Sequence, residues 1–362
     1  MKVGITTFFQ AHNYGAQLQA FAMSTYLREK IGAEVEFIDY LPSSASSAYR
    51  VLPKISKPKD LVRYANSLLH YQKLKRRFCG FQRFGSSELP KSRPFSSMKE
   101  FIDSAPKYDA IVTGSDQVFR YKGPNTDFYF LPFANDLGIK SIAYAPSFGV
   151  STLDKRFHKQ VTDLLMGIDH LSCREKAGAQ IIEELTGRTV PVVMDPVFLL
   201  RKERWQHVAG AKALVPEDYI LCYALVGSSA QLLIAEELQK QTGLRIVLIS
   251  SPQTKVRKGI SLLVPDPPEF VNLFVNASFV VTDSFHGTAF SILFRKPFFS
   301  YIAISEASSR ITDLLTEVGL SSHICNRNMQ SYLEVCTDYK CFDMENLVLR
   351  SERFLVEAFG CT

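Results

Sequence analysis

Along most of the chain, short runs of apolar residues alternate with longer stretches in which apolar residues recur at helical spacing. The short runs are rich in Val, Ile, Tyr and Phe, the composition of β-strands. They predict strands at Val3–Phe8, Val35–Tyr40, Ala110–Thr113, Ser141–Ala145, Ile168–Ser172 and Val190–Met194. A second set follows at Tyr219–Leu225, Leu244–Ile249, Phe279–Thr282 and Pro297–Tyr301. Helical spacing falls between them at Gly15–Lys30, Ala230–Thr242, Gly287–Arg295 and Ile311–Val318. Such alternation predicts an α/β protein with parallel sheets covered by helices. It occurs twice, which predicts two Rossmann-like domains facing each other across a cleft. The expected division is residues 1–195, residues 196–345, and a last helix within 346–362 that packs back on the first domain.

One segment, about 41–107, breaks the alternation. It begins with the loop-like Leu41-Pro-Ser-Ser-Ala-Ser-Ser47 and continues with apolar residues at Leu61, Tyr64, Ala65, Leu68, Tyr71, Leu74, Phe78 and Phe81. Around them stand Lys54, Lys57, Lys59, Arg63, Lys73, Lys75, Arg76, Arg77 and Arg83. This predicts a basic helical insertion in the first domain. It is either a packed helix with a solvated basic face or an arm that meets lipid head groups.

Composition narrows the classes. With 362 residues, two domains are expected. Hydrophobic residues at 46% and charged residues at 22% fit a folded globular chain. No apolar run is as long as a membrane span, and Met1–Phe9 reads as a first strand rather than a leader, so a cytoplasmic protein is expected. The seven cysteines have no metal-ligand spacing, and the closest pair is Cys336 and Cys341, which predicts reduced thiols. A net charge of +6 is mild for a nucleic-acid binder and suits anionic substrates or an anionic membrane surface.

Four stretches carry candidate chemistry. In Phe279-Val-Val-Thr-Asp-Ser-Phe-His-Gly287 a strand ends at Thr282, Asp283 and Ser284 are N-cap residues, and a helix opens at His286 and Gly287. Ligands bind at the carboxyl ends of strands in doubly wound sheets, and a helix N-terminus there favours an anion. Gly287 would allow close approach of a ligand to the backbone, and His286 can donate a proton. The plain alternative is a capping histidine in a satisfied turn. In Tyr108-Asp-Ala-Ile-Val-Thr-Gly-Ser-Asp-Gln117, Ser115, Asp116 and Gln117 stand at the mouth of the first sheet, where Asp116 can orient a hydroxyl; the alternative is an Asx-type turn. In Ile168-Asp-His-Leu-Ser-Cys-Arg-Glu175, Arg174 follows a strand, and its fork suits a carboxylate or phosphate; the alternative is an ion pair with Glu175 or Glu183. After the first strand, Asn13, Tyr14, Gly15 and Gln17 occupy a phosphate-loop position without a phosphate-loop sequence, so nucleotide binding is not supported and sugar hydroxyls suit Asn13 and Gln17 better.

Together and in this order, these features resemble the polysaccharide pyruvyl transferases. The residues that carry the resemblance are Asn13-Tyr-Gly-Ala16 with Leu18-Gln-Ala20, Gly114-Ser-Asp-Gln-Val-Phe119, Ser141-Ile-Ala-Tyr-Ala-Pro-Ser-Phe-Gly149, Ser172-Cys-Arg-Glu175, Asp195-Pro196 and Thr282-Asp-Ser-Phe-His-Gly287. The resemblance implies a GT-B-like arrangement and phosphoenolpyruvate as donor, with no cofactor and no metal. It implies transfer of the pyruvyl group to a sugar, such as a galactose or other hexose of a surface polysaccharide or its lipid-linked precursor. It places the family's donor-site histidine at His286 and its arginine at Arg174, with Ser284, Phe285, Gly287 and Arg310 around the donor. The acceptor side would be Asn13, Tyr14, Gln17, Ser115, Asp116 and Gln117. Some members have Arg and Leu where this chain has Ser284 and Phe285, which removes a cation; Arg310 or Arg295 are the residues considered for its place. His286 is then the expected proton donor and Asp116 the expected base. A lipid-linked acceptor would also bring the protein to the inner face of the membrane, where peripheral contact is allowed for; no nucleic-acid partner is expected. Three rival readings stand beside this one: a glycosyltransferase of the same fold using a nucleotide sugar, a non-catalytic scaffold in capsule assembly, and a member of the family acting on a non-sugar nucleophile.

Overall fold

The computed structural model describes residues 1–41, 51–53, 55, 57, 60–104, 107–225, 229–302, 309–325 and 344–361. Residues 42–47 of the loop-like stretch, together with Lys54, Lys59, Cys336 and Cys341, lie outside these, as does the side chain of Arg63. The chain divides into two compact units. Met1–Ser46, Gly85–Leu200 and Asp343–Thr362 form the first, and Ser47–Phe84 with Arg201–Phe342 the second. No helix among the described residues is long and apolar enough to cross a membrane.

The first unit is built on five parallel strands: β1 (Lys2–Thr6), β2 (Glu34–Phe37), β3 (Ala110–Thr113), β4 (Lys140–Ala143) and β5 (His170–Leu171). Their order is β2-β1-β3-β4-β5. The sheet therefore reverses direction of growth between β1 and β3, a topological switch point at which ligands bind in doubly wound folds. Helix α1 (Tyr14–Glu29) follows β1 and is buried from Tyr14 to Leu27, which is why its sequence is apolar or uncharged on every face. The expected strand Val190–Met194 does not form. Pro191 has no N–H for a ladder, only Cys173 and Val192 bridge, and the Met194 N–H donates instead to Ser351 Oγ at 2.8 Å. Ser351 belongs to the last helix of the chain, Met344–Phe359, which lies in this unit.

The second unit has six parallel strands: β6 (Tyr219–Tyr223), β7 (Arg245–Ile249), β8 (Ile260–Leu263), β9 (Phe279–Thr282), β10 (Phe298–Tyr301) and β11 (Ile324–Cys325). Their order, β11-β10-β9-β6-β7-β8, is that of a dinucleotide-type Rossmann sheet, with its switch point between β6 and β9. Strands β8 and β11 are absent from the set the sequence predicts; among the described residues they form the two edges of the sheet. Trp205, Phe270, Phe274 and Phe290 form an aromatic core beneath the sheet, with Trp205 and Phe290 edge to face at 5.0 Å.

The basic segment forms two helices rather than one, α2 (Asp60–Leu69) and α3 (Tyr71–Glu88). His70 separates them, because its ring pairs with the Asn66 carbonyl at 3.0 Å, the group that would otherwise accept the next helical N–H. Residues up to Phe84 attach to the second unit. Gly80 faces Asp266 so closely that a Cβ would lie 2.6 Å from the aspartate Cβ, and Arg76 donates to Glu269 at 2.9 Å.

Candidate active site

In the second unit the site is built at the end of β9. Strand β9 stops at Thr282, whose Oγ1 accepts the Ser284 N–H at 3.0 Å. Ser284 then takes an extended conformation and caps helix α10 (Phe285–Leu293), accepting the Gly287 N–H at 3.2 Å. The turn is tied down again at Thr288, whose hydroxyl donates to the Ser284 carbonyl at 3.0 Å and pairs with Ser300 at 2.7 Å. A Cβ on Gly287 would fall 2.4 Å from Thr282 Oγ1 and 3.0 Å from the Tyr223 ring, so the end of the strand alone already requires a glycine there. His286 and Phe285 sit in the first turn, both buried, with their rings edge to face at 5.2 Å. The positive end of the helix dipole lies there, at the switch point of the sheet.

Asp283 does not cap the helix. Its carboxylate accepts from the Leu225 N–H at 2.7 Å and from Gln231 Nε2 at 2.8 Å. It thereby ties the loop after β6 to the loop after β9, one on each side of the switch point. Arg310 is half-buried in the first turn of helix α11 (Ser309–Glu317), which touches α10. Arg295 is exposed beyond the C-terminus of α10, in the left-handed conformation with φ 50°. It is at the far end from His286, about 13 Å along the axis, so it does not supply the cation missing near Ser284.

In the first unit the expected acceptor residues gather at the β1–β3 switch point. Thr7 donates to the Ser115 carbonyl at 2.8 Å and accepts from Gln19 Nε2 at 3.0 Å, which joins the loops after the two strands. Asn13 caps α1, accepting the Ala16 N–H at 3.2 Å; Tyr14 and Gln17 are buried in the first turn behind it. Ser115 is fully buried, and its hydroxyl donates to Asp195 at 2.8 Å. Asp116 is half-buried at φ 76°, a conformation that a non-glycine residue adopts at a cost of order 1–3 kcal/mol. Its carboxylate accepts the Gln117 N–H at 2.8 Å. Gln117 lies against Gly149, where φ is 66° and a Cβ would come within 2.8 Å of the amide.

Arg174 is placed differently from the reading that aims its fork at a substrate. Its side chain is 2% exposed, and NH1 donates to Asp195 at 2.8 Å and to Ser115 Oγ at 3.1 Å. Burial pulls the guanidinium pKa down, but the charges of Asp195, Glu175 and Asp116 outweigh it and the pKa is raised. Glu175 is buried as well, and its Oε1 accepts from Ser147 Oγ at 2.9 Å and from the Phe148 N–H at 3.0 Å. Asp195, Glu175, Asp283 and Thr282 thus make contacts at the two strand ends for which the sequence assigned them no individual role, although all four lie in the motifs that carry the resemblance. His286 belongs to the second unit, whereas Arg174 and Asp116 belong to the first.

Two parallel sheets of Rossmann type, each with polar residues gathered at its switch point, give the protein an α/β fold of the GT-B-like class. Solved structures share the fold. They include UDP-GlcNAc 2-epimerase from Methanocaldococcus jannaschii, at a TM-score of 0.57 and 14% identity over 99% of this chain and 100% of that one. The S. aureus MnaA–UDP co-structure has a TM-score of 0.51 and 12% identity, covering 100% of this chain and 97% of that one. None of the curated protein sequences compared with the chain matches it. The profile of the polysaccharide pyruvyl transferase family matches residues 13–305, and the chain belongs to that family. It is accordingly a transferase, in a family that implies phosphoenolpyruvate as donor and a polysaccharide as acceptor.

Proposed function

We propose that the protein transfers the enolpyruvyl group of phosphoenolpyruvate onto two hydroxyls of one hexose, such as a galactose, in a surface polysaccharide or its lipid-linked precursor. A pyruvate ketal forms and phosphate leaves. The observation that carries this reading is the buried His286 in the first turn of α10, at the switch point of the second sheet. Phosphoenolpyruvate bears about three negative charges near neutral pH, and a helix N-terminus is suited to hold them. Ser284, Phe285, Gly287 and Arg310 complete the proposed donor side, with Ser284 and Gly287 shaping the turn.

In the proposed reaction His286 protonates the methylene carbon of the enol, which becomes the methyl group. A first sugar hydroxyl bonds to the carbon that carries the phosphate, losing its proton to Asp116. A second hydroxyl then bonds to the same carbon as the C–O bond to phosphate breaks, and its proton leaves with the phosphate. Asn13, Gln17 and Gln117 are the amides proposed to bind the neutral sugar, with Tyr14 behind them. Arg174 enters as a positioning residue, because its pairing with Asp195 and Ser115 supports the loop that carries Asp116. The strained backbone at Asp116 favours a functional carboxylate there.

The test is phosphate release from phosphoenolpyruvate in the presence of galactosides, mannosides and lipid-linked glycans. Release that requires one of these acceptors, with a ketal in the product, supports the reading. Stabilisation against heat by UDP or GDP but not by phosphoenolpyruvate would favour a nucleotide-sugar transferase instead.

A further inference from the structure

Helix α2 has its apolar face turned outward. Leu61, Val62, Ala65, Leu68 and Leu69 fall on one arc of about 120° at 100° per residue, and all five are exposed. Val62 is 77% and Leu69 83% exposed, while Leu61 and Leu68 are at least half so. On the other side of the helix the polar Ser67 is buried and accepts from Gln253 Nε2 at 3.0 Å. A surface helix ordinarily buries its apolar stripe, so this one presents to solvent what packing would normally hide. Ile55, just ahead of the helix, is exposed too.

After Asp60, which opens α2, the charges along the two helices are of one sign as far as Ser87. Between Leu61 and Ser87 there is no Asp or Glu, while Arg63, Lys73, Lys75, Arg76, Arg77 and Arg83 are all cationic. Arg76 and Arg83 are paired with Glu269 and Asp266 in the same unit. Lys73 and Lys75 are exposed within six residues of Leu69, and neither forms an ion pair among the described residues. A second copy of the chain would bring the same cations against these, so the charges oppose self-association through this face.

We infer that α2 is an interfacial helix, which lays Val62 and Leu69 into an anionic lipid bilayer while Lys73 and Lys75 meet the head groups. Outward apolar side chains next to unopposed cations are the two features such binding needs. The inference does not rest on the pyruvyl-transfer reading, since it concerns α2 and α3 and uses none of the proposed site residues.

The experiment is sedimentation of the full chain with vesicles of phosphatidylcholine, with and without phosphatidylglycerol. The parent should bind the anionic vesicles and not the neutral ones, and should be released by salt. The paired variant Lys73→Glu, Lys75→Glu should bind at least about 25-fold more weakly, near five-fold per cation. The paired variant Val62→Gln, Leu69→Gln should also lose binding. It should keep the parent's unfolding midpoint to within about 2 °C, because both side chains are exposed. Parent protein that ignores anionic vesicles overturns the inference, as does a Val62→Gln, Leu69→Gln variant that binds as well as the parent. A parent that self-associates in the ultracentrifuge, with the Gln variant monomeric, would assign the face to a second copy and overturn it as well. Phosphate release on a soluble acceptor should be the same in parent and variants, so failure of the catalytic reading would show separately.

Discussion

The guanidinium of Arg174 stands 2.8 Å from the carboxylate of Asp195, and both side chains are almost wholly buried. The same Asp195 oxygen accepts the Ser115 hydroxyl, so cation, carboxylate and hydroxyl form a closed triangle under the loop that bears Asp116. A buried pair of this kind adds little net stability, but removing one partner strands a charge in a low dielectric. Arg174→Ala and Asp195→Ala should each lose about 3–5 kcal/mol in urea unfolding. Arg174→Ala combined with Asp195→Ala should lose clearly less than the sum of the two. Equal and additive losses in that cycle would mean that the two residues act separately.

If His286 is the proton donor, His286→Ala should lower turnover by about 10²-fold or more. Binding of phosphoenolpyruvate, followed by calorimetry, should change much less. Near-normal phosphate release by the variant would remove His286 from the mechanism.

The turn before α10 has no room for a methyl group. Gly287→Ala would place a Cβ 2.4 Å from Thr282 Oγ1, and the expected cost is about 1–3 kcal/mol. Adding Thr282→Ala removes the nearest atom and should recover a large part of that loss. A fully stable Gly287→Ala protein, judged by its thermal midpoint, would mean that the strand end gives way easily.

Asp283 holds the Leu225 amide across the switch point of the second sheet. In Asp283→Ala that amide should exchange with deuterium at least about tenfold faster, because the opening of the loop no longer breaks this bond, worth about 1.5–3 kcal/mol for a charged acceptor. Amides in β6 should keep their protection. Unchanged exchange at Leu225 would show that the loop is held by other contacts.

Much of this architecture was legible in residue order. The runs at Ala110–Thr113 and Phe279–Thr282 form the strands their composition predicts, with the same bounds. The helices after β1 and β9 follow from apolar spacing, the second also from its cap at Ser284. Local preference and burial pattern act over a few residues, so a sequence states them directly. The family, too, is written in short motifs that survive as neighbours in the chain.

What the sequence could not state was partnership at a distance. The Arg174 fork looks outward when only its neighbours in the chain are considered. It turns inward because Asp195, 21 residues on, and Ser115, 59 residues back, meet it in the folded unit. Gly287 reads as an opening for a ligand, and only the fold adds that Thr282 and Tyr223 leave no room there for a Cβ. The apolar residues of α2 have the spacing of a packed face, and spacing alone does not say which side of a helix the rest of the protein covers. Helical periodicity and capping are properties of the chain itself; which groups meet, and which faces stay in water, is decided when distant segments compete to bury the same surface.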